Sequence, residues 1–169
     1  QDVSPFEEGA YTGEVSAKQI KELADYVIIG HSERRKNFLE SDEMVNQKIV
    51  QAVHFGLTPI LCISSVEQIQ NYNVQLRGNN VALRNSKLKI IIAYEPLFAI
   101  GSGQADTPEN ANSMAEKIRK ELGLMTVLYG GSVTSKNIKG FTQMPNIDGA
   151  LVGGASLDAQ EFYAIIQNA

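Results

Sequence analysis

Two residues stand where a protein would place proton chemistry. Glu95 closes the apolar run Ile90-Ile91-Ile92-Ala93-Tyr94, and Pro96 stops the strand directly after it. His31 follows Gly30 at the end of a second run, Tyr26-Val27-Ile28-Ile29. At the ends of buried parallel strands, a carboxylate and an imidazole share one rim. The first can take a proton from carbon while the second polarises and reprotonates oxygens. Plainer readings compete: a surface Glu before an ordinary turn, and a His bonded to nearby backbone. Two more turns carry glycine pairs, Gly130-Gly131-Ser132 and Gly153-Gly154. Backbone N–H groups at such turns suit an anion, phosphate above all, although glycines also serve tight turns for their own sake. After Glu95 come Pro96, an apolar tip of Leu97, Phe98, Ala99 and Ile100, and then Gly101, Ser102 and Gly103. That is the make-up of a lid.

Residues placed this way need strands that end on one side of a sheet. The chain supplies about five strand-then-helix units. Strands are expected at Tyr26–Gly30, Pro59–Ile63, Lys89–Tyr94, Met125–Tyr129 and Ile147–Val152, each nearly all apolar. Between them lie amphipathic helices. One begins near Ser41 or Asp42 with Val45, Ile49 and Val53 on one face, and Gly56 closes it. Another runs from Pro108 to Leu122, with Thr107 as N-cap, Ala111, Met114, Ala115, Ile118 and Leu122 as its stripe, and Gly123 as its stop. Shorter helices are expected at Ala17–Leu23 with Ser16 as N-cap, near Ser135–Gln143, and at Asp158–Gln167. Ser64 and Ser65 offer caps for a helix through Val66, Ile69 and Tyr72. The Asn-rich stretch Asn71 to Asn85 reads as helix with a break near Gly78. Glu33-Arg34-Arg35 reads as the start of a loop whose charges pair structurally or orient the site, the structural pairing being favoured. His54 reads as packing or surface. Continuous apolar strands separated by amphipathic helices mean an α/β fold, a parallel sheet covered by helices.

Composition narrows the functions. The 169 residues suit one domain, expected over 1–169 with a loop-like opening at 1–16. Apolar content of 43% against 20% charged residues is that of a globular chain. A net charge of −4 argues against nucleic acid as a partner. No apolar run is long enough to span a membrane, and no signal peptide is visible. The single Cys62 cannot form an internal disulfide and fits a reducing compartment, so a cytoplasmic location is expected. One cysteine and two histidines make no metal-ligand cluster, and neither metal nor cofactor is expected.

The motifs together resemble the triosephosphate isomerase family. Tyr26-Val-Ile-Ile-Gly-His-Ser-Glu-Arg-Arg35 resembles its fourth strand, Ala93-Tyr-Glu-Pro-Leu-Phe-Ala-Ile-Gly-Ser-Gly103 its sixth, Leu128-Tyr-Gly-Gly-Ser-Val133 its seventh-strand loop and Asp148-Gly-Ala-Leu-Val-Gly-Gly-Ala-Ser156 its eighth. Val3-Ser-Pro-Phe-Glu-Glu-Gly-Ala-Tyr-Thr-Gly-Glu14 resembles the long third loop that docks into a neighbouring subunit. The resemblance implies a TIM (βα) barrel, here incomplete, with strands four to eight. It implies an isomerase that interconverts dihydroxyacetone phosphate and glyceraldehyde 3-phosphate. Glu95 would be the base and His31 a neutral electrophile, with Ser32 and Glu33 in support. Gly101, Ser132, Gly153 and Gly154 would bind the phosphate of a triose substrate or analogue. Pro96 to Gly103 would be the water-excluding lid, and Thr12, Gly13 and Glu14 the tip of an oligomer loop.

The departures from the family pattern are specific. The 169 residues contain nothing like the first-strand Asn-Trp-Lys motif whose lysine stabilises the enediolate. Glu33 resembles that lysine's partner. Phe98 stands where a Trp is usual, Ser65 where a Glu contacts that Trp, and Gln104-Ala105-Asp106 where the hinge is of Lys-Thr-Ala type. Three functional readings follow. The chain is an isomerase once the opening strands are supplied by a complementing N-terminal chain; a homo-oligomer is the other partner expected. Alternatively it is a catalytically silent, self-associating partial barrel, because a five-strand sheet cut from a barrel has open edges. Or it is a module that binds phosphate ligands.

Overall fold

The computed structural model describes residues 1–69, 71, 90–100, 103–123 and 125–169. The expected helix through Tyr72 and on to Asn85, the strand start at Lys89, and Gly101 and Ser102 lie outside the described residues. Five parallel strands form one sheet in the order β1-β2-β3-β4-β5, an α/β fold of the partial TIM-barrel type. The chain divides into two compact units, Gln1–Cys62 with Glu67–Ile91, and Ile63–Val66 with Ile92–Ala169.

In the first unit, residues 1–16 form a loop whose ends meet where Ser4 N–H donates to Val15 O at 2.9 Å. Helix α1, Ala17–Lys21, starts with a reciprocal cap between Ser16 and Gln19, shorter than the expected run to Leu23. Strand β1 spans Tyr26–Ile29 and pairs with β2, Thr58–Ile63, from Tyr26 opposite Thr58 to Ile29 opposite Leu61. Helix α2 covers Ser32–Phe38, where a loop was expected. It buries no residue at all, so it has no apolar stripe for periodicity to reveal. Ion pairs position it instead. Arg34 Nε reaches Asp2 at 2.7 Å and Glu40 at 3.1 Å, and Arg35 Nη1 reaches Asp42 at 2.7 Å. Arg35 Nε also donates to Gly30 O at 3.0 Å.

Helix α3, Asp42–His54, is capped by Ser41 and buries Val45, Ile49 and Val53 as expected, with Ala52 beside them. Its stripe includes one charge. Lys48 is only 1% exposed, and its ammonium meets the buried carboxylate of Glu40 and both oxygens of Asp2, at 3.0 and 2.8 Å. A buried lysine needs such partners, since an uncompensated charge there would cost several kcal/mol. Gly56 follows the C-cap at φ +81°, the left-handed conformation that ends a helix. Val66 to Ile69 are helical, as their caps suggested.

In the second unit, β3 (Ile91–Tyr94) pairs with β4 (Val127–Tyr129), and β4 with β5 (Gly149–Ala150). The expected strand Ile147–Val152 is broader than β5, yet its outer residues still bond to β4. Asp148 N–H donates to Val127 O at 2.8 Å and Leu151 N–H to Tyr129 O at 2.9 Å. Helix α4, Pro108–Leu122, begins with Thr107 Oγ1 accepting from Asn110 N–H and ends at Gly123, as read from the sequence. Its buried stripe is Ala111, Ala115 and Ile118. Helix α5 is confined to Ile138–Thr142, because Ser135 N–H is held by Glu161 and Thr134 N–H by Asn137. Helix α6, Ala159–Asn168, takes Asp158 as its N-cap. No helix among the described residues is long and apolar enough to cross a membrane.

Candidate active site

Glu95 follows β3 directly and is only 1% exposed, which removes the reading of it as a surface residue. Its N–H donates to Ile63 O at 2.8 Å, so a strand-type bond fixes the backbone of residue 95. Next to it Gly130 N–H donates to Tyr94 O at 2.7 Å. A Cβ on Gly130 would sit 3.1 Å from Glu95 Cγ, so this glycine leaves the space the carboxylate's stem fills. Gly131 is constrained harder, because a Cβ there would collide with the Tyr129 hydroxyl. The two glycines therefore serve close packing as well as any anion role.

The loop after Glu95 opens with Pro96 and a short 3-10 turn, Leu97–Ala99. Leu97 and Phe98 are exposed at 65% and 61%, whereas Ala99 is fully buried. Ser132 Oγ donates to Ala99 O at 2.6 Å. At the loop's far end Asp106 N–H donates to the Tyr129 hydroxyl at 2.9 Å. Tyr129 stacks on Phe141 with ring centroids 3.9 Å apart. Burial pushes the Tyr94 phenol up to about 12, with the nearby charges of Asp106 and Tyr129 adding to it, and burial raises Tyr129 as well. Motif reading passed over Tyr129 as one apolar letter of a strand. Its signal was position, the last strand residue before Gly130-Gly131, where a hydroxyl faces the turn.

Gly153 and Gly154 lie in the turn after β5, exposed, with nothing within 4 Å of a Cβ on either. Gly154–Leu157 forms a 3-10 turn there. Open backbone of this kind can accept an anion.

In the first unit His31 is the N-cap of α2, and its side chain accepts from Glu33 N–H. The Nδ1 to N distance is 3.2 Å. With Nδ1 as the acceptor of that bond, the ring's proton sits on Nε2. Nε2–H is then the ring's donor. The plainer reading of His31, a ring bonded to nearby backbone, is what the structure shows, and that bond fixes the tautomer. Ser32 is the first residue of α2 and half-buried. Glu33 is exposed, its carboxylate 4.0 Å from Nδ1. Thr12, Gly13 and Glu14 are exposed at the loop tip, and Gly13 turns at φ +96°. Phe6 and Tyr11 stack within that loop at 4.3 Å. His54 lies on the surface with its ring edge-on to Phe55 at 4.7 Å. Among the described residues no three His, Cys, Asp or Glu side chains could hold a metal ion.

The family model for triosephosphate isomerase matches residues 1–169. A triosephosphate isomerase of Leifsonia xyli is 47% identical over 184 residues, covering 99% of this chain and 71% of its own. One from Dehalococcoides mccartyi is 48% identical over 178 residues, covering 96% and 70%. One from Thermus thermophilus is 42% identical over 185 residues, covering 99% and 74%.

Proposed function

Because the chain belongs to the triosephosphate isomerase family, we propose that it supplies the base and the electrophile of that reaction, the interconversion of dihydroxyacetone phosphate and glyceraldehyde 3-phosphate. The observation that carries this reading is the His31 tautomer. An Nδ1 held by Glu33 N–H leaves Nε2–H to polarise the substrate's carbonyl and hydroxyl oxygens. Glu95 takes the proton from the hydroxyl-bearing carbon beside the carbonyl, His31 moves the hydroxyl's proton to the former carbonyl oxygen, and Glu95 returns its proton to the neighbouring carbon. Burial of Glu95 keeps bulk water from competing for that proton. Ser132, Gly153 and Gly154 hold the phosphate through their backbone N–H groups, with Gly101 assigned to them by resemblance alone. Residues Pro96 to Gly103 act as the lid. Ser32 and Glu33 support His31 by opening α2. Residues 1–169 make up a single partial barrel domain.

The enediolate still needs a cation, and none of the chain's lysines matches the one that stabilises it in the family. The opening strands would bring it, in the same polypeptide or from a second chain. Without a positioned cation at developing charge, turnover should fall ~10²–10³-fold. An isomerase assay on the chain with and without a segment carrying those strands tests this. An intact complex that stays inactive sinks the reading. In the active complex Glu95→Gln should cost ~10²–10⁴ in kcat, the usual worth of a general base. A loss under tenfold would remove Glu95 from the chemistry.

The exposed loop tip Thr12, Gly13 and Glu14, stiffened by the Phe6–Tyr11 stack, supports association with a second copy. Light scattering checks it, and a stable monomer that turns over at full rate would argue against it.

A further inference from the structure

Asp106 is a buried carboxylate that the proposed chemistry does not use. It is 8% exposed. Its Oδ1 accepts from Thr107 N–H at 2.8 Å and from Asn110 Nδ2 at 3.3 Å. Thr107 Oγ1 in turn accepts from Asn110 N–H at 3.2 Å. Residue 106 is therefore tied in two directions. Its side chain grips the first turn of α4, and its main-chain N–H donates to the Tyr129 hydroxyl. The phenol that receives this bond is itself held by the stack on Phe141. At the other end of the same loop, Ala99 O is held by Ser132 Oγ, in the turn that follows β4. Both ends of the loop after Glu95 are thus anchored to β4 and its turn.

The two ties at residue 106 do different work. The bonds to Thr107 and Asn110 are local to the start of α4 and do not depend on the bond to Tyr129. They restrict the rotation of residue 106 about its own backbone. With that rotation restricted, its N–H stays aimed at Tyr129, and less entropy is lost in making that bond. A small apolar residue at 106 would keep the N–H but lose the aim.

We propose that Asp106 is a positioning residue for the lid: its carboxylate, gripped by Thr107 and Asn110, keeps the loop after Glu95 anchored on Tyr129. This rests on the reading of that loop as the lid. Hydrogen exchange at the amide of residue 106 reads the anchor directly and needs no turnover. Asp106→Ala should speed that exchange by at least about tenfold, the worth of one lost hydrogen bond. Asp106→Asn keeps an acceptor oxygen and should exchange as the parent does. Asn110→Ala removes one of the two donors and should fall between. In the active complex, Asp106→Ala should raise KM several-fold with kcat nearly unchanged, and Asp106→Asn should restore it. Unchanged exchange in Asp106→Ala overturns the proposal, and so does an Asp106→Asn variant that behaves like the alanine. If exchange responds as expected while the parent complex turns nothing over, the isomerase reading fails and the anchor stands.

Discussion

The surroundings of His31 and those of Glu95 are built from different forces. His31 caps a helix that buries nothing, and that helix is positioned by Arg34, Arg35, Asp2, Glu40, Asp42 and Lys48. Glu95 ends a strand whose last three residues, Ile92, Ala93 and Tyr94, are buried. Its neighbours are held by backbone bonds, an aromatic stack and neutral hydroxyls. Charge geometry fixes the first region, and apolar packing fixes the second. A helix cap gives the His31 ring direction, and a strand end gives the Glu95 carboxylate burial.

The largest break in this comparison should come from Lys48→Met. Methionine fills the space but leaves Arg34 to balance both Glu40 and Asp2. Breaking a buried pair from one side typically costs ~3–5 kcal/mol. Denaturant unfolding should show that loss, and Glu40→Gln in the Lys48→Met background should recover part of it. A cost below about 1 kcal/mol would mean that packing, not charge, holds α2.

A smaller effect is expected on the other side. Tyr129→Phe keeps the stack on Phe141 but leaves Asp106 N–H without its acceptor. A buried donor left unmade costs ~1–3 kcal/mol. If thermal unfolding shows no loss, the hydroxyl is not what anchors that loop.

The same contrast decides how much could be read in advance. Strands and the helices α3 and α4 were legible because apolar residues recur at their periods and Ser41, Thr107, Gly56 and Gly123 punctuate them. Glu95 and His31 were legible because each follows an apolar run directly. Helix α2 was not, because Ser32 to Phe38 carries charges whose partners, Asp2 and Asp42, lie outside it. Lys48 sat in plain view three residues after Val45, a charge on an apolar stripe. Only its partners, 46 residues away in the case of Asp2, explain it. The resemblance to a family supplied the roles, and the geometry supplied the tautomer that makes the role of His31 chemically coherent.

The smallest effect should be seen with pH, and it should come from the Glu95 side. Tyr94 is raised from an ordinary 10.0 to about 12, first by burial and then by Asp106 and Tyr129. A raised phenol means the folded state favours the neutral form. Its contribution is therefore complete below pH 10, is lost as pH climbs from about 10 to about 12, and is absent above that. At pH 10.5 only the first part of that window is entered. The expected loss is under about 1 kcal/mol once solvent screening is allowed for. Tyr129 is itself one of the causes of the shift, so Tyr129→Phe should shrink this alkaline loss as well as lower stability at neutral pH. Denaturant midpoints at pH 8 and pH 10.5, for the parent and for Tyr129→Phe, measure both. An alkaline loss of equal size in the two proteins would separate Tyr94 from Tyr129 and undo the coupling that the shared burial implies.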